Sequence, residues 1–174
     1  AALLPTVKVI CAREQEGYQA LKEQYHLNNV IHTNDLVVNN CGVDLQHIYR
    51  KTPRLSFTHI LPESVAVIPN QRNYEIADEA QVQKLYVSVI KKLLQSYSAV
   101  YLLNHSDVDK EICKQLKNEF NSDNRVILIE RELNCLEFNE VVKQFQFIVA
   151  SRFHAIVHAF KNGIPCIALG WATK

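Results

Sequence analysis

Glycine is scarce in this chain. Only four occur in 174 residues, Gly17, Gly42, Gly163 and Gly170. Their spacings build neither the G-x-G-x-x-G of a dinucleotide site nor a phosphate-cradling P-loop, so NAD, FAD and ATP are disfavoured by those routes. Cysteine pairs are missing too. Cys11, Cys41, Cys113, Cys135 and Cys166 are scattered and odd in number, which argues against a disulfide framework and a zinc knuckle and makes reduced thiols in a cytoplasmic protein the expectation. Methionine is absent, and the chain stops at Trp171-Ala172-Thr173-Lys174 directly after a strand-like run; a piece of a longer protein is expected. No uninterrupted apolar stretch reaches bilayer length, and Ala1 to Pro5 is too short for a secretory signal. Charge of one sign is also lacking: 19 Lys and Arg stand against 18 Asp and Glu, a net +1. No broad field draws the chain toward nucleic acid or an acidic membrane, so any recognition of anions is local.

What is present is an alternation. From residue 64 onward, short apolar runs (Val65 to Ile68, Ala99 to Leu103, Val126 to Ile129, Phe147 to Val149 and Cys166 to Leu169) are separated by stretches of helical periodicity. The runs are continuously apolar, as expected of parallel strands covered on both faces. The clearest helix follows Asp78, with Val82, Leu85, Tyr86, Val89, Ile90, Leu93, Leu94 and Tyr97 on one wide stripe. A second is expected after Ser106, with Val108, Ile112, Leu116 and Phe120 on one face and Asp109 placed to complete its cap. A third covers Leu136 to Phe145. A fourth runs from Phe153 to Lys161 and stops at Asn162-Gly163-Ile164-Pro165. This is the pattern of an α/β chain built on an open Rossmann-like parallel sheet. The first fifty residues read differently, with a strand near Val7 to Cys11, a helix over Glu14 to Tyr25 and a strand at Val30-Ile31. A junction is expected near residues 51–63.

The chemistry-bearing residues cluster where strands end. Ser151-Arg152-Phe153-His154 puts a hydroxyl, a guanidinium and an imidazole where a buried strand gives way to a helix, a place that favours a phosphate or carboxylate. Asn70 and Arg72 follow the first strand of the main domain, and His105 follows the second. If the sheet has the common doubly wound order, the first and fourth strands flank the ligand crevice, and Arg72 and Arg152 face one cavity. Two guanidiniums there suit a compact, highly charged anion. His154 and His158, one helical turn apart, lack a glutamate base or a marked third ligand, so no metal site is expected. Glu130-Arg131-Glu132 is most simply a solvated loop, although Glu130 ends a strand and could reach the same face.

Val65 to Arg72, Leu102 to Asp109 and above all Ser151-Arg152-Phe153-His154-Ala155 through Gly163-Ile164-Pro165-Cys166-Ile167-Ala168-Leu169 resemble the polysaccharide pyruvyl transferase family. Ala12-Arg13-Glu14, with Tyr18 and Leu21-Lys22, also looks like the family's Ala-Arg-(Asp/Glu) helix, and Asp35 matches a downstream acidic position. The resemblance implies two Rossmann-like domains in an arrangement similar to the type B glycosyltransferase fold. Residues 1–50 would then be the end of the N-terminal domain, 51–63 the linker, and 64–174 most of the C-terminal domain, truncated. It further implies transfer of pyruvate from phosphoenolpyruvate to a sugar of a polysaccharide or its lipid-linked precursor, as a ketal, in exopolysaccharide biosynthesis and with no additional cofactor. On that pattern His154 and Arg152 are the catalytic residues, and Arg72, Ser151, Asn70 and His105 bind the donor. A nucleotide-sugar glycosyltransferase of the same architecture and an inactive sugar-binding module are the alternatives.

Overall fold

The computed structural model describes residues 3–38 and 59–170. These fall into two compact units, within Ala1–Val43 and Asp44–Lys174. The junction expected at 51–63 lies mostly outside the described residues.

The first unit contains two short parallel strands, β1 (Ile10–Ala12) and β2 (Val30–His32), connected through helix α1 (Gln15–Glu23). Ala12, Leu27 and Val30 form its small core, with Ile10, Tyr18 and Leu21 against them.

The second unit is a five-stranded parallel sheet. Its strands are β3 (Ser64–Ile68), β4 (Ala99–Leu102), β5 (Val126–Leu128), β6 (Ile148–Ala150) and β7 (Cys166–Ala168), in the spatial order β5-β4-β3-β6-β7. Every residue of β3, β4 and β6 is buried, which is why these strands read as continuous apolar runs. Alternate side chains enter opposite cores. Ala66 and Ile68 join Tyr101, Ile148 and Ala150 beneath α5 (Cys135–Val142) and α6 (Phe153–Lys161). Val65 and Val67 join Val100, Leu102 and Val149 beneath α3 (Glu79–Leu93) and α4 (Lys110–Asn118). A further short helix, α2 (Gln71–Ile76), follows β3 directly. No helix among the described residues is long and apolar enough to cross a membrane.

Local chemistry sets the helix ends. Asp78 accepts from the Gln81 amide at 2.8 Å and starts α3. Asn134 and Glu137 form a reciprocal capping box on α5. Gly163 sits at φ +67° just beyond α6, and the Ile164 amide folds back to the Ala159 carbonyl at 2.9 Å. A residue with a Cβ is strained in that left-handed turn.

Two helix expectations need correction. Leu85 is 50% exposed, because the buried stripe of α3 is narrower than the sequence pattern suggests and runs through Val82, Tyr86, Ile90 and Leu93. Val108 is 55% exposed while Asp109 is fully buried. The cause is a 3₁₀ turn at Asp107–Asp109, before α4 begins. Its tighter winding rotates the carboxylate inward in place of the valine.

Candidate active site

The strand order places β3 beside β6, so the turns β3–α2 and β6–α6 meet at the carboxyl edge of the sheet, where strand order reverses. Three side chains lock this junction. Asn70, 1% exposed, caps α2 by accepting from the Arg72 amide at 2.9 Å and donates to the Ser151 carbonyl at 3.3 Å. The Ser151 hydroxyl, 2% exposed, is placed to donate to Asn73 Oδ1 (2.8 Å) or to the Leu169 carbonyl (2.7 Å). Asn70 and Ser151, expected to touch the donor, thus turn their polar atoms into the frame.

The third side chain is Asp109, which the sequence reading assigned to a helix cap. Its carboxylate accepts two bonds from Arg152, from Nε at 2.8 Å and Nη2 at 2.7 Å, and one from the Gln71 amide at 2.9 Å. One buried carboxylate therefore ties α2, α4 and α6 together. Charge-assisted, bidentate bonds of this kind are the strong ones. They hold the guanidinium of Arg152 edge-on, with Nη1 outside the pair and the side chain 27% exposed.

Arg72 is placed otherwise. Its Nη1 donates to Glu75 at 2.6 Å, one turn along α2, and both side chains are largely exposed. Each arginine is thus held by its own carboxylate, Arg152 by Asp109 and Arg72 by Glu75. The Arg72 pair is local, and its i,i+3 spacing is legible in the sequence.

Beside Arg152 lies a group of aromatic rings. His105 and His154 are nearly parallel, 9° apart with centroids 6.5 Å apart, and His105 meets Phe138 edge-on at 4.8 Å. His158 is buried, with Nδ1 3.2 Å from Asn139 Oδ1. Asn162 Nδ2 donates to that same oxygen at 2.8 Å, so the oxygen is the acceptor and the His158 Nδ1–H is the donor. His158 is thus a satisfied core histidine. Among the described residues no group of three His, Cys, Asp or Glu side chains is disposed to hold a metal ion. Glu130 is exposed, and in the first unit Asp35 accepts from Arg13 at 2.8 Å.

Burial, then the neighbouring His158, His154 and Arg152, pushes the His105 pKa down to about 4. Burial also lowers that of His158. His105 is therefore a neutral imidazole near pH 7. A base whose pKa is depressed on folding binds fewer protons folded than unfolded, so its contribution is complete above the free histidine value and is lost as pH falls. Between pH 6.5 and about 4, His105 is expected to contribute an acid-side loss of stability of about 2 kcal/mol, allowing for solvent screening. Melting temperatures across that window, wild type against His105→Gln, check this: the acid-side fall should be shallower in the variant.

A cavity of about 350 Å³ opens next to His105, among residues following β4 and β5 and on α5. A larger groove of about 750 Å³ runs along the outer side of α3 and contains none of the residues discussed above.

Known proteins place this arrangement in context. The family model described as polysaccharide pyruvyl transferase matches residues 1–173. No curated protein sequence matches the chain. Among solved structures, UDP-GlcNAc 2-epimerase from Methanocaldococcus jannaschii superposes with a TM-score of 0.62 at 16% identity, over 93% of this chain and 46% of that one. The same archaeal epimerase in complex with UDP-GlcNAc and UDP gives 0.59 at 14% identity, over 93% and 45%. At such identities the likeness shows the fold alone, a Rossmann-like fold of the type B glycosyltransferase kind, and the chain spans a little under half of the structures it matches. The family match covers nearly every residue, including the Arg152-Phe153-His154 turn that Asp109 holds, and the chain belongs to the polysaccharide pyruvyl transferase family.

Proposed function

We propose that this chain carries the donor half of a site that transfers pyruvate from phosphoenolpyruvate to a saccharide as a ketal. The observation that carries the reading is Arg152, held by a fully buried carboxylate at the start of α6 beside His154 and His105.

The reaction has clear electrostatic demands. A sugar hydroxyl adds to C2 of the enol ester while its methylene carbon, C3, gains a proton. The C2–O bond to phosphate then breaks, and a second hydroxyl closes the ketal as its proton passes to the departing phosphate. Carboxylate and phosphate must be held throughout, and protons must move at C3 and at the hydroxyls. Arg152 supplies a fixed cation whose Nη1 is outside the Asp109 pair. The helix dipole of α6 adds to it, and Arg152 as N-cap residue makes no side-chain cap there. Arg72 can join as the second clamp, because an exposed ion pair such as Arg72–Glu75 is worth only about 0–1 kcal/mol and is readily exchanged for a multiply charged ligand. His154 acts as acid/base or orients the donor. His105, neutral near pH 7, works as a hydrogen-bond partner.

Titration calorimetry with phosphoenolpyruvate, UDP and inorganic phosphate tests the donor. Phosphoenolpyruvate is expected to bind more tightly than either of the others. Tighter binding of UDP would replace this reading with a nucleotide-sugar one, and no binding of any would leave an inactive module.

A further inference from the structure

We propose that the cavity beside His105 is a saccharide subsite, which receives a neutral, hydroxyl-rich ring next to the donor. The inference deepens the proposed function and rests on it for the identity of the neighbouring donor.

Position is the first argument. Asn104, His105 and Ser106 follow β4, and Glu132 and Leu133 follow β5, so the cavity opens at the same carboxyl edge of the sheet as Arg152, which follows β6 on the other side of β3 and reaches across to Asp109 beyond β4. His105 belongs to both regions: it lines the cavity and lies parallel to His154. An occupant would therefore sit beside the residues assigned to the donor.

Charge is the second. Asp107 and Glu132 both pair with Lys110, the former at 3.0 Å. Two carboxylates around one ammonium leave a negative surplus, which disfavours phosphate or a carboxylate ligand and separates this cavity from the Arg152 turn, where one guanidinium balances one carboxylate at a helix N-terminus. Each carboxylate has one oxygen on Lys110 and a second that can accept from a hydroxyl. Asn104 and Ser106 add groups that donate or accept, and Phe138, buried and edge-on to His105, backs the ring of that histidine. Polar groups around the partly exposed ring of His105, in a volume within the usual range of about 300–1,000 Å³, suit a sugar ring.

Cys135 offers a direct readout, because it lines the cavity and is an exposed residue. Alkylation by iodoacetamide, followed residue by residue by mass spectrometry, is measured with and without D-galactose, D-glucose or N-acetyl-D-glucosamine. At a sugar concentration twice its Kd, modification of Cys135 is expected to slow about threefold, while exposed Cys11 of the first unit is unaffected. The double variant Asp107→Ala, Glu132→Ala changes side chains that are mostly exposed; it should remain folded and lose the protection, judged against its own sugar-free rate. The proposal is overturned if no sugar protects, if both cysteines slow equally, or if phosphoenolpyruvate protects Cys135 as well as the sugars do. Calorimetry keeps the two readings apart. Phosphoenolpyruvate binding without sugar protection removes only the subsite, and sugar protection without phosphoenolpyruvate binding removes only the donor assignment.

Discussion

Replacing Asp109 with alanine is expected to lower the unfolding free energy by about 3–5 kcal/mol, the usual cost of breaking a buried ion pair from one side. Asp109 is fully buried and carries three hydrogen bonds. Its removal leaves the Arg152 guanidinium without its counter-charge and the Gln71 amide without its acceptor, the latter costing about 1–3 kcal/mol alone. Arg152 retains some contact with water, at 27% exposure, which places the expectation toward the lower end. Asp109→Asn keeps the shape and an acceptor for Gln71 and should cost less. The pair Asp109→Leu, Arg152→Met should recover most of the loss, since well-packed apolar residues commonly replace a buried ion pair without penalty. Urea unfolding of the four proteins measures this. A loss below about 1 kcal/mol in Asp109→Ala, the level of a surface pair, would show that the carboxylate does not organise the junction.

The second large effect is on the donor. Arg152→Ala is expected to weaken phosphoenolpyruvate binding about a hundredfold or more, because truncating one side of a desolvated, hydrogen-bonded charge pair costs about 2–5 kcal/mol. Arg152→Lys keeps the charge but loses the planar fork that grips Asp109 and a ligand together, and about tenfold weakening is expected. Arg152→Ala also strands a buried carboxylate, so the control is Arg152→Ala with Asp109→Asn, which relieves that stress. If the guanidinium itself holds the donor, the double variant regains stability and binds no better than Arg152→Ala. Calorimetry with phosphoenolpyruvate decides the matter. Wild-type affinity in either alanine variant removes Arg152 from the donor site.

Much of the architecture was legible because burial on both faces is written directly in composition. A strand such as β3, covered by helices above and below, has no polar position to interrupt it; the run that forms the edge strand β7 is just as apolar, yet Ile167 is 53% exposed there, so two-sided burial does not account for it. The start and stop of α6 were equally plain, since Gly163 answers a local backbone demand. The site was less so. Arg152 and His154 stood out by their place in a strand-to-helix turn. The local pairing of Arg72 with Glu75, three positions on, is also written in the sequence, whereas whether Arg72 turns to the ligand depends on exchanging that exposed pair. Asn70 and Ser151 read as ligand contacts because polar residues at strand ends commonly are, whereas here they join two turns.

Sequence alone determined the alternation of strand and helix, the start of α3 at Asp78, the stop of α6 at Gly163 and the residues at each strand's carboxyl end, because those depend on interactions within a few positions along the chain. Tertiary structure alone decided that β3 lies beside β6, that Asp109 rather than Val108 turns inward, and that this carboxylate meets Arg152, 43 positions away. The reason is physical. A 3₁₀ turn shifts the phase that helical periodicity assumes, and a buried charge is tolerated only where the assembled sheet brings its counter-charge within hydrogen-bond distance.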